Sequence, residues 1–212
     1  MNKEEKEKLI REGKIRKEKP LPEITEEEKS FEIPEGWEWV RMAEVIDVRD
    51  GTHDTPKYVE EEKYPLITGK DFLNGKLTFE KTKYISKEDY EKIIKRSKVE
   101  SGDIIYSMIG GNIGSMVMIT DITDIAIKNV ALFKRYCAES FIPKYLLYFL
   151  EGRKELMKAS TKGGAQPFLS LTMLRNELFV LPPLEEQKRI VEKVDNIMNM
   201  LDELENELTT KI

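Results

Sequence analysis

The sequence predicts an α/β (α+β) chain, in which a β-rich domain carrying a few short helices is followed by a long C-terminal helix of coiled-coil type. Three observations carry this. Between Phe31 and Leu181 the apolar residues come in short runs bounded by Gly, Asn, Asp and Pro, the pattern of strands and turns. Two stretches, one opened by Ser86 and one by Pro143, instead have their apolar residues at helical spacing. After Pro182-Pro183, apolar residues repeat every seven positions in three columns, Ile190/Ile197/Leu204, Val191/Met198 and Val194/Leu201/Leu208, which together make one broad helical stripe. Three segments result: a charged arm and spacer over 1–30, a folded domain over 31–181, and a helix over 182–212.

Residues 1–19 are dense in Lys and Glu with few apolar positions (Leu9, Ile10, Ile15), so they read as a solvated helix or a disordered arm, ended by Pro20-Leu21-Pro22. Folded structure begins about Phe31. Pro34-Glu35-Gly36 makes a turn, and the alternation in Trp37-Glu38-Trp39-Val40 reads as a strand. Val45 to Val48 and Tyr64 to Thr68 read as further strands, and Asn74-Gly75 favours a hairpin because both residues tolerate positive φ. Ser86 can cap a helix bearing Tyr90, Ile93 and Ile94 and ending in Lys95-Arg96-Ser97-Lys98. Gly102-Asp103 turns the chain into Ile104 to Ile109, and Gly110 to Gly114 turns it again into Met116 to Thr120, with Met108, Met116 and Met118 as core. Pro143 suits a first helical position, where its missing N–H costs nothing, and opens a helix from Lys144 to Ala159. Thr161 to Ala165 is a loop, Ser170 can cap a short helix through Leu174, and Glu177 to Leu181 is the last strand. Pro182 and Pro183 cannot donate from a helix interior, so they stand before or at the first turn of the long helix. Its stripe needs a cover, either another helix or the chain's own domain.

At 212 residues with 40% apolar content, the chain can hold one good-sized core plus an appendage. No apolar run approaches the roughly 18 residues of a membrane span, and Met1-Asn2-Lys3-Glu4-Glu5 is too charged for a secretory signal, so the expected location is cytoplasmic, with no membrane partner. One cysteine, Cys137, excludes an internal disulfide and reads as a small buried hydrophobe; one histidine, His53, leaves no His/Cys zinc cluster. The net charge of -5 is unevenly placed: residues 1–30 carry nine basic and nine acidic side chains, 31–180 carry 22 and 23, and 181–212 carry four and eight. Most of the excess acid lies on the C-terminal helix; the near-neutral domain can still present a basic face, but composition alone predicts no DNA binding.

Four pieces, in order, match one family. Ile33 to Val40, Gly102 to Ser107 with Gly110 to Gly114, Gly164 with Gln166, Phe168, Leu169 and Ser170, and Leu181 to Val191 resemble the target-recognition domain and following helical region of specificity subunits of type I restriction-modification systems. The resemblance implies a non-catalytic subunit that reads one half of an interrupted duplex DNA target and positions an adenine-N6 methyltransferase (M) subunit. It further implies service to a restriction (R) motor subunit, with S-adenosylmethionine, ATP and Mg on the partner subunits and no cofactor here. A full subunit carries two recognition domains and two helical regions; this chain has one set, and Pro20 to Pro34 is similar to the spacer between halves, so it looks like a half-subunit. A homodimer through Leu184, Ile190, Val191, Val194, Ile197, Met198, Leu201, Leu204 and Leu208 would then rebuild the pair. A helix-mediated assembly protein with no DNA role fits the same stripe.

Catalytic chemistry is missing from the residues themselves. No glycine-rich cofactor loop follows a strand, and Leu181-Pro182-Pro183-Leu184 lacks the amide or acid and the aromatic of a methyltransferase motif. Asp54, Glu61 and Lys63 have the types of a metal-nuclease core but lie in an acidic loop-like run that reads as solvated charge, and Gly110 to Gly114 lacks phosphate-loop spacing. For DNA reading the candidates are short polar side chains beside cations, since base edges need donors and acceptors while phosphates need Lys or Arg. Asp50 to Lys57 is one such loop, with Thr52, His53, Asp54, Thr55 and Lys57, against the alternative of an Asx/Thr turn that touches nothing. Lys92, Lys95, Arg96 and Lys98 end a helix, where cations also suit the macrodipole. Lys162, Gly163 and Gln166 are the third candidate, glycine permitting close backbone approach.

Overall fold

The computed structural model describes residues 8, 10–12, 20–61, 63–121, 124–137, 140–161 and 167–210. Most of the charged arm, and the candidates Lys162, Gly163 and Gln166, therefore lie outside the described residues. In chain order the strands are β1 (Glu38–Arg41), β2 (Ile46–Asp50), β3 (Tyr58–Val59), β4 (Pro65–Ile67), β5 (Phe72–Leu73), β6 (Lys76–Leu77), β7 (Lys83–Ile85), β8 (Ile104–Ser107), β9 (Met116–Met118), β10 (Ala126–Ile127), β11 (Val130–Arg135) and β12 (Leu178–Leu181). The helices are α1 (Met42–Val45), α2 (Lys87–Ser97), α3 (Pro143–Ala159), α4 (Leu171–Asn176) and α5 (Leu184–Thr210). The fold is the mixed α and β chain with a long terminal helix that the pattern predicts.

Local chemistry sets most boundaries. Asn74 and Gly75 take φ of 50° and 73° at the tip of the β5–β6 hairpin. Ser86 and Ser170 accept the Asp89 and Met173 amides at the starts of α2 and α4, and Pro143 is the first residue of α3. Several boundaries differ from expectation: β8 ends at Ser107 rather than Ile109, β9 at Met118 rather than Thr120, and α4 runs to Asn176 rather than Leu174. Val45 is not in a strand but closes the single turn α1, where the Arg41 amide donates to the Glu44 carboxylate at 2.6 Å, and β2 starts at Ile46. Cys137 likewise sits just beyond β11 and is half-buried rather than buried.

Two four-stranded sheets form the body. One is antiparallel, in the order β2-β11-β8-β9; the other is mixed, in the order β10-β4-β7-β3, with β10 parallel to β4. The antiparallel sheet is apolar on both faces, which explains its unbroken hydrophobic runs. Ala131, Phe133, Ile104 and Tyr106 point into a core shared with Tyr145, Leu146 and Leu150 of α3, while Val130, Leu132 and Ile105 point into one shared with Ile67 and Ile127 of the second sheet. On that sheet, Leu66 and Ile85 pack with Tyr90 and Ile93 of α2.

The N-terminal contacts start before Phe31. Arg41 is 5% exposed, and its guanidinium donates to the carbonyls of Pro22, Glu23 and Asn176 and to Glu28, so it ties the spacer and α4 to the domain. Helix α5 divides in two. Over its first turns Ile190 and Val191 pack on the core, buried Gln187 accepts from the Ile142 amide and donates to the Pro182 carbonyl, and Asp195 accepts from Lys144 and Tyr148 of α3. Beyond it, Ile197, Met198, Leu201, Leu204 and Leu208 are exposed. The chain's own domain thus covers the first part of the stripe and leaves the rest bare. Among the described residues no helix is long and apolar enough to cross a membrane.

Candidate nucleic-acid interface

Register brings several loops to one end of the two sheets. Ala131 pairs with Asp50, Val130 with Ser107, Tyr106 with Met116, and Ile127 with Ile67, so the chain leaves β2, β4, β8 and β10 on the same side. The Asp50–Lys57 loop is there, as is the Lys128-Asn129 turn between β10 and β11, in which Asn129 has φ 55°. Gly110 and Ile109 are also there, tied to Pro167 and Phe168, the first described residues after the Lys162–Gln166 candidate.

The loop is anchored at its start and open at its middle. Gly51 passes so close to the neighbouring strand that a Cβ would lie 2.4 Å from the Ile127 carbonyl oxygen, which only glycine permits. The Thr52 amide donates to Ile127 O at 2.9 Å, and Thr52 O accepts from the Asn129 amide at 3.1 Å. Thr52 Oγ1 accepts the Asp54 amide, so the local turn expected as the alternative is formed. His53, Asp54, Thr55 and Lys57 are exposed beyond it.

Asp50 joins this loop to the end of α2. Its side chain is 7% exposed; one carboxylate oxygen accepts from Arg96 Nη2, and the other lies 2.9 Å from His53 Nε2. His53 Nδ1 is 3.1 Å from Asn129 Oδ1, and the Lys128 ammonium donates to Thr55 Oγ1. Arg49, on β2, donates to the Arg96 carbonyl at 3.1 Å and is held by Asp47 at 2.6 and 2.9 Å. Burial opposes the charge on Arg49, yet the Asp47 hydrogen bond together with the charges of Asp47, Asp103 and Glu100 raises its guanidinium above the ordinary value.

Two of the three sequence candidates therefore meet. Lys92 and Lys95 are exposed on α2 without an ion pair among the described residues, and Lys92 lies one helical turn before both Lys95 and Arg96. Lys98 differs: it pairs with Glu100 at 3.3 Å. Glu100 also takes Lys134, whose hydrogen bond holds the Glu100 carboxyl below its ordinary range, whereas burial pushes the neighbouring Asp103 carboxyl up despite the same lysine. Lys98 thus shares Glu100 with Lys134, through a pair that is itself mostly exposed. Sequence reasoning missed Lys128 and Asn129 and gave Asp50 no role of its own; an Asn between two strand runs, tolerant of positive φ, is the one signal that marked the turn. Asp54, Glu61 and Lys63 are all exposed, and no group of three His, Cys, Asp or Glu side chains among the described residues is placed to hold a metal ion.

The chain matches known proteins over nearly all of this architecture. Residues 34–212 match the family described as type I restriction modification DNA specificity domain. The EcoAI specificity subunit of Escherichia coli is 28% identical over 95% of the chain, and the MjaVIII specificity subunit of Methanocaldococcus jannaschii is 31% identical over 83%. The chain spans 35% and 44% of the length of these relatives. Among solved structures, a chain from work on complex assembly and conformational transition of the type I R-M system superposes with a TM-score of 0.65 at 26% identity, over 83% of this chain and 42% of that one. The HsdS subunit from Thermoanaerobacter tengcongensis shares the fold, with a TM-score of 0.62 at 23% identity over 84% of this chain and 41% of its own. The chain belongs to the family of type I restriction-modification DNA specificity domains.

Proposed function

We propose that the chain is a non-catalytic DNA-reading component of a type I restriction-modification complex. It reads one half of an interrupted duplex target and positions an adenine-N6 methyltransferase subunit on it, and in the full cytoplasmic assembly it also serves the restriction motor subunit. S-adenosylmethionine, ATP and Mg belong to those partners. One observation carries this reading: short polar side chains of the Asp50–Lys57 loop and the cations of α2 and Lys128 gather at a single end of the two-sheet body. Sequence-specific binding requires base readers and phosphate contacts, and side chains of the types suited to each lie at this end, which supports the reading. The exposed stripe from Ile197 to Leu208 supports a second step, pairing of two copies through α5 so that two recognition domains address one duplex.

Selection from a random duplex library by the full chain, combined with methylome sequencing of cells that express it with candidate methyltransferases, tests the reading. An enriched motif that reappears as a newly methylated adenine site is the expected result, with binding that weakens steeply as salt rises. Methyl transfer by the isolated chain would refute the non-catalytic role. Enrichment of no motif would leave the assembly role of the α5 stripe as the better account.

A further inference from the structure

We propose that Arg96 reads a guanine in the major groove, aimed by the buried Asp50 carboxylate, and is not one more phosphate cation. The inference rests on the DNA-reading function proposed above and assigns chemistry within it. Arg96 is held at both ends. Its carbonyl accepts from Arg49, itself fixed by Asp47, and its Nη2 donates to Asp50, which sits at the end of β2 in register with Ala131. Yet the Arg96 side chain remains 60% exposed at the open end of the sheets.

That combination suits a base edge better than a phosphate. A guanidinium beside a buried carboxylate has much of its charge compensated locally, so it adds little to the general attraction for the DNA backbone. It keeps four of its five N–H donors, in a planar fork whose orientation is already set, so little side-chain freedom is lost on binding. Guanine offers two adjacent acceptors, N7 and O6, to such a fork. Adenine offers N7 beside an N6 donor, and a guanidinium has no acceptor to meet it. Lys92 and Lys95, exposed and without such a brace, are the side chains suited to phosphates. Asp50 is in this scheme a positioning residue.

The test uses duplexes selected by the full chain, the variants Arg96→Ala, Arg96→Lys and Asp50→Asn, and a cognate duplex in which 7-deazaguanine removes the N7 acceptor. The expected motif contains an invariant G. Arg96→Lys, and Arg96→Ala combined with Asp50→Asn so that no carboxylate is left unpaired, should relax that position alone and lower affinity for the cognate duplex roughly tenfold to a hundredfold, leaving affinity for unrelated duplexes and the salt slope unchanged. The 7-deazaguanine duplex should weaken wild-type binding and not that of Arg96→Ala. Asp50→Asn, with unfolding monitored separately by its thermal midpoint, should relax the same position. A uniform loss across all sequences, with a salt slope flatter by about one, would make Arg96 a phosphate contact and overturn the proposal. An unchanged motif with unchanged affinity would overturn it as well. If the wild-type chain selects no motif, the recognition function itself fails and the inference goes with it; a clear wild-type motif that Arg96 variants retain sinks only the inference.

Discussion

Replacing Leu201 and Leu204 together by aspartate should abolish self-association while leaving the domain folded. The first turns of α5 are spent on the chain's own core, but Ile197, Met198, Leu201, Leu204 and Leu208 remain 49%, 48%, 52%, 55% and 67% exposed. Full burial of a large apolar side chain is worth about 1.5–3 kcal/mol, so covering the remaining half of each is worth about 1 kcal/mol. Ten such side chains across two copies give about 10 kcal/mol, and an association cost of at least about 4 kcal/mol leaves about 6 kcal/mol or less. That corresponds to a dissociation constant in the tens of micromolar or weaker. Two aspartates in each copy remove four of the ten contributions and add the cost of burying charge, which leaves nothing to hold the pair. Val194 is a poorer probe, since it is half-buried and adjoins Asp195, which helps dock α5. Light scattering from about 1 µM to several hundred µM should show the wild-type mass rising towards a dimer and the variant staying monomeric, with identical circular dichroism. A variant that associates as the wild-type chain does would rule out this pairing.

Gly51→Ala should destabilise the domain by about 1–3 kcal/mol, as overpacking against backbone does, because the new Cβ meets Ile127 O, Ile127 C and Lys128 N at 2.4, 2.6 and 2.8 Å; an unchanged thermal midpoint would show that the loop start shifts freely. Gln187→Ala should cost about 1–3 kcal/mol for each group it strands, the Ile142 amide and the Pro182 carbonyl, each 2.8 Å from the Gln187 amide, read by denaturant titration; a smaller loss would mean that α5 docks without it. Lys144, with further help from the Tyr148 hydroxyl, holds the Asp195 carboxyl below its ordinary 3.8, so the stability it adds is present above that pH and is lost as pH falls through the lowered folded value. The stability gap between wild type and Asp195→Asn should therefore be constant near neutrality and close in acid, and a gap that survives full acidification would remove the ion pair as its cause.

What is legible in the sequence is what neighbouring residues decide. Asn74-Gly75 makes its hairpin, Ser86 and Ser170 cap their helices, and Pro182-Pro183 stand before α5, because each of these outcomes depends on backbone chemistry within a few residues. Val45 misleads because its apolar run continues into β2 while the Arg41–Glu44 contact, invisible to periodicity, turns the chain one residue earlier. The division into two sheets is equally hidden. Strands of two residues such as β10 carry no period of their own, and their partners lie far along the chain. Periodicity also announces a stripe on α5 without saying who covers it. The answer, part own domain and part open, comes from α3 lying within reach of Asp195.

The site shows the same limit in a form that changes its chemistry. Residue types alone sort the loop from Asp50 to Lys57 as base-reading and the cations of α2 as phosphate-binding, and they treat the two as separate candidates. Asp50 dissolves that division. A carboxylate buried at a strand end, with Arg96 on one oxygen and His53 on the other, makes loop and helix end a single constellation and takes Arg96 out of the class of free cations. Lys98 leaves that class for a different reason, since it shares Glu100 with Lys134. Of the four basic residues that one helix end offers, two have no ion pair among the described residues, one is held by Asp50, and one is paired with Glu100. A cation's role at the proposed DNA-reading surface is therefore set by the carboxylate beside it, and the sequence places Asp50 and Arg96 46 residues apart.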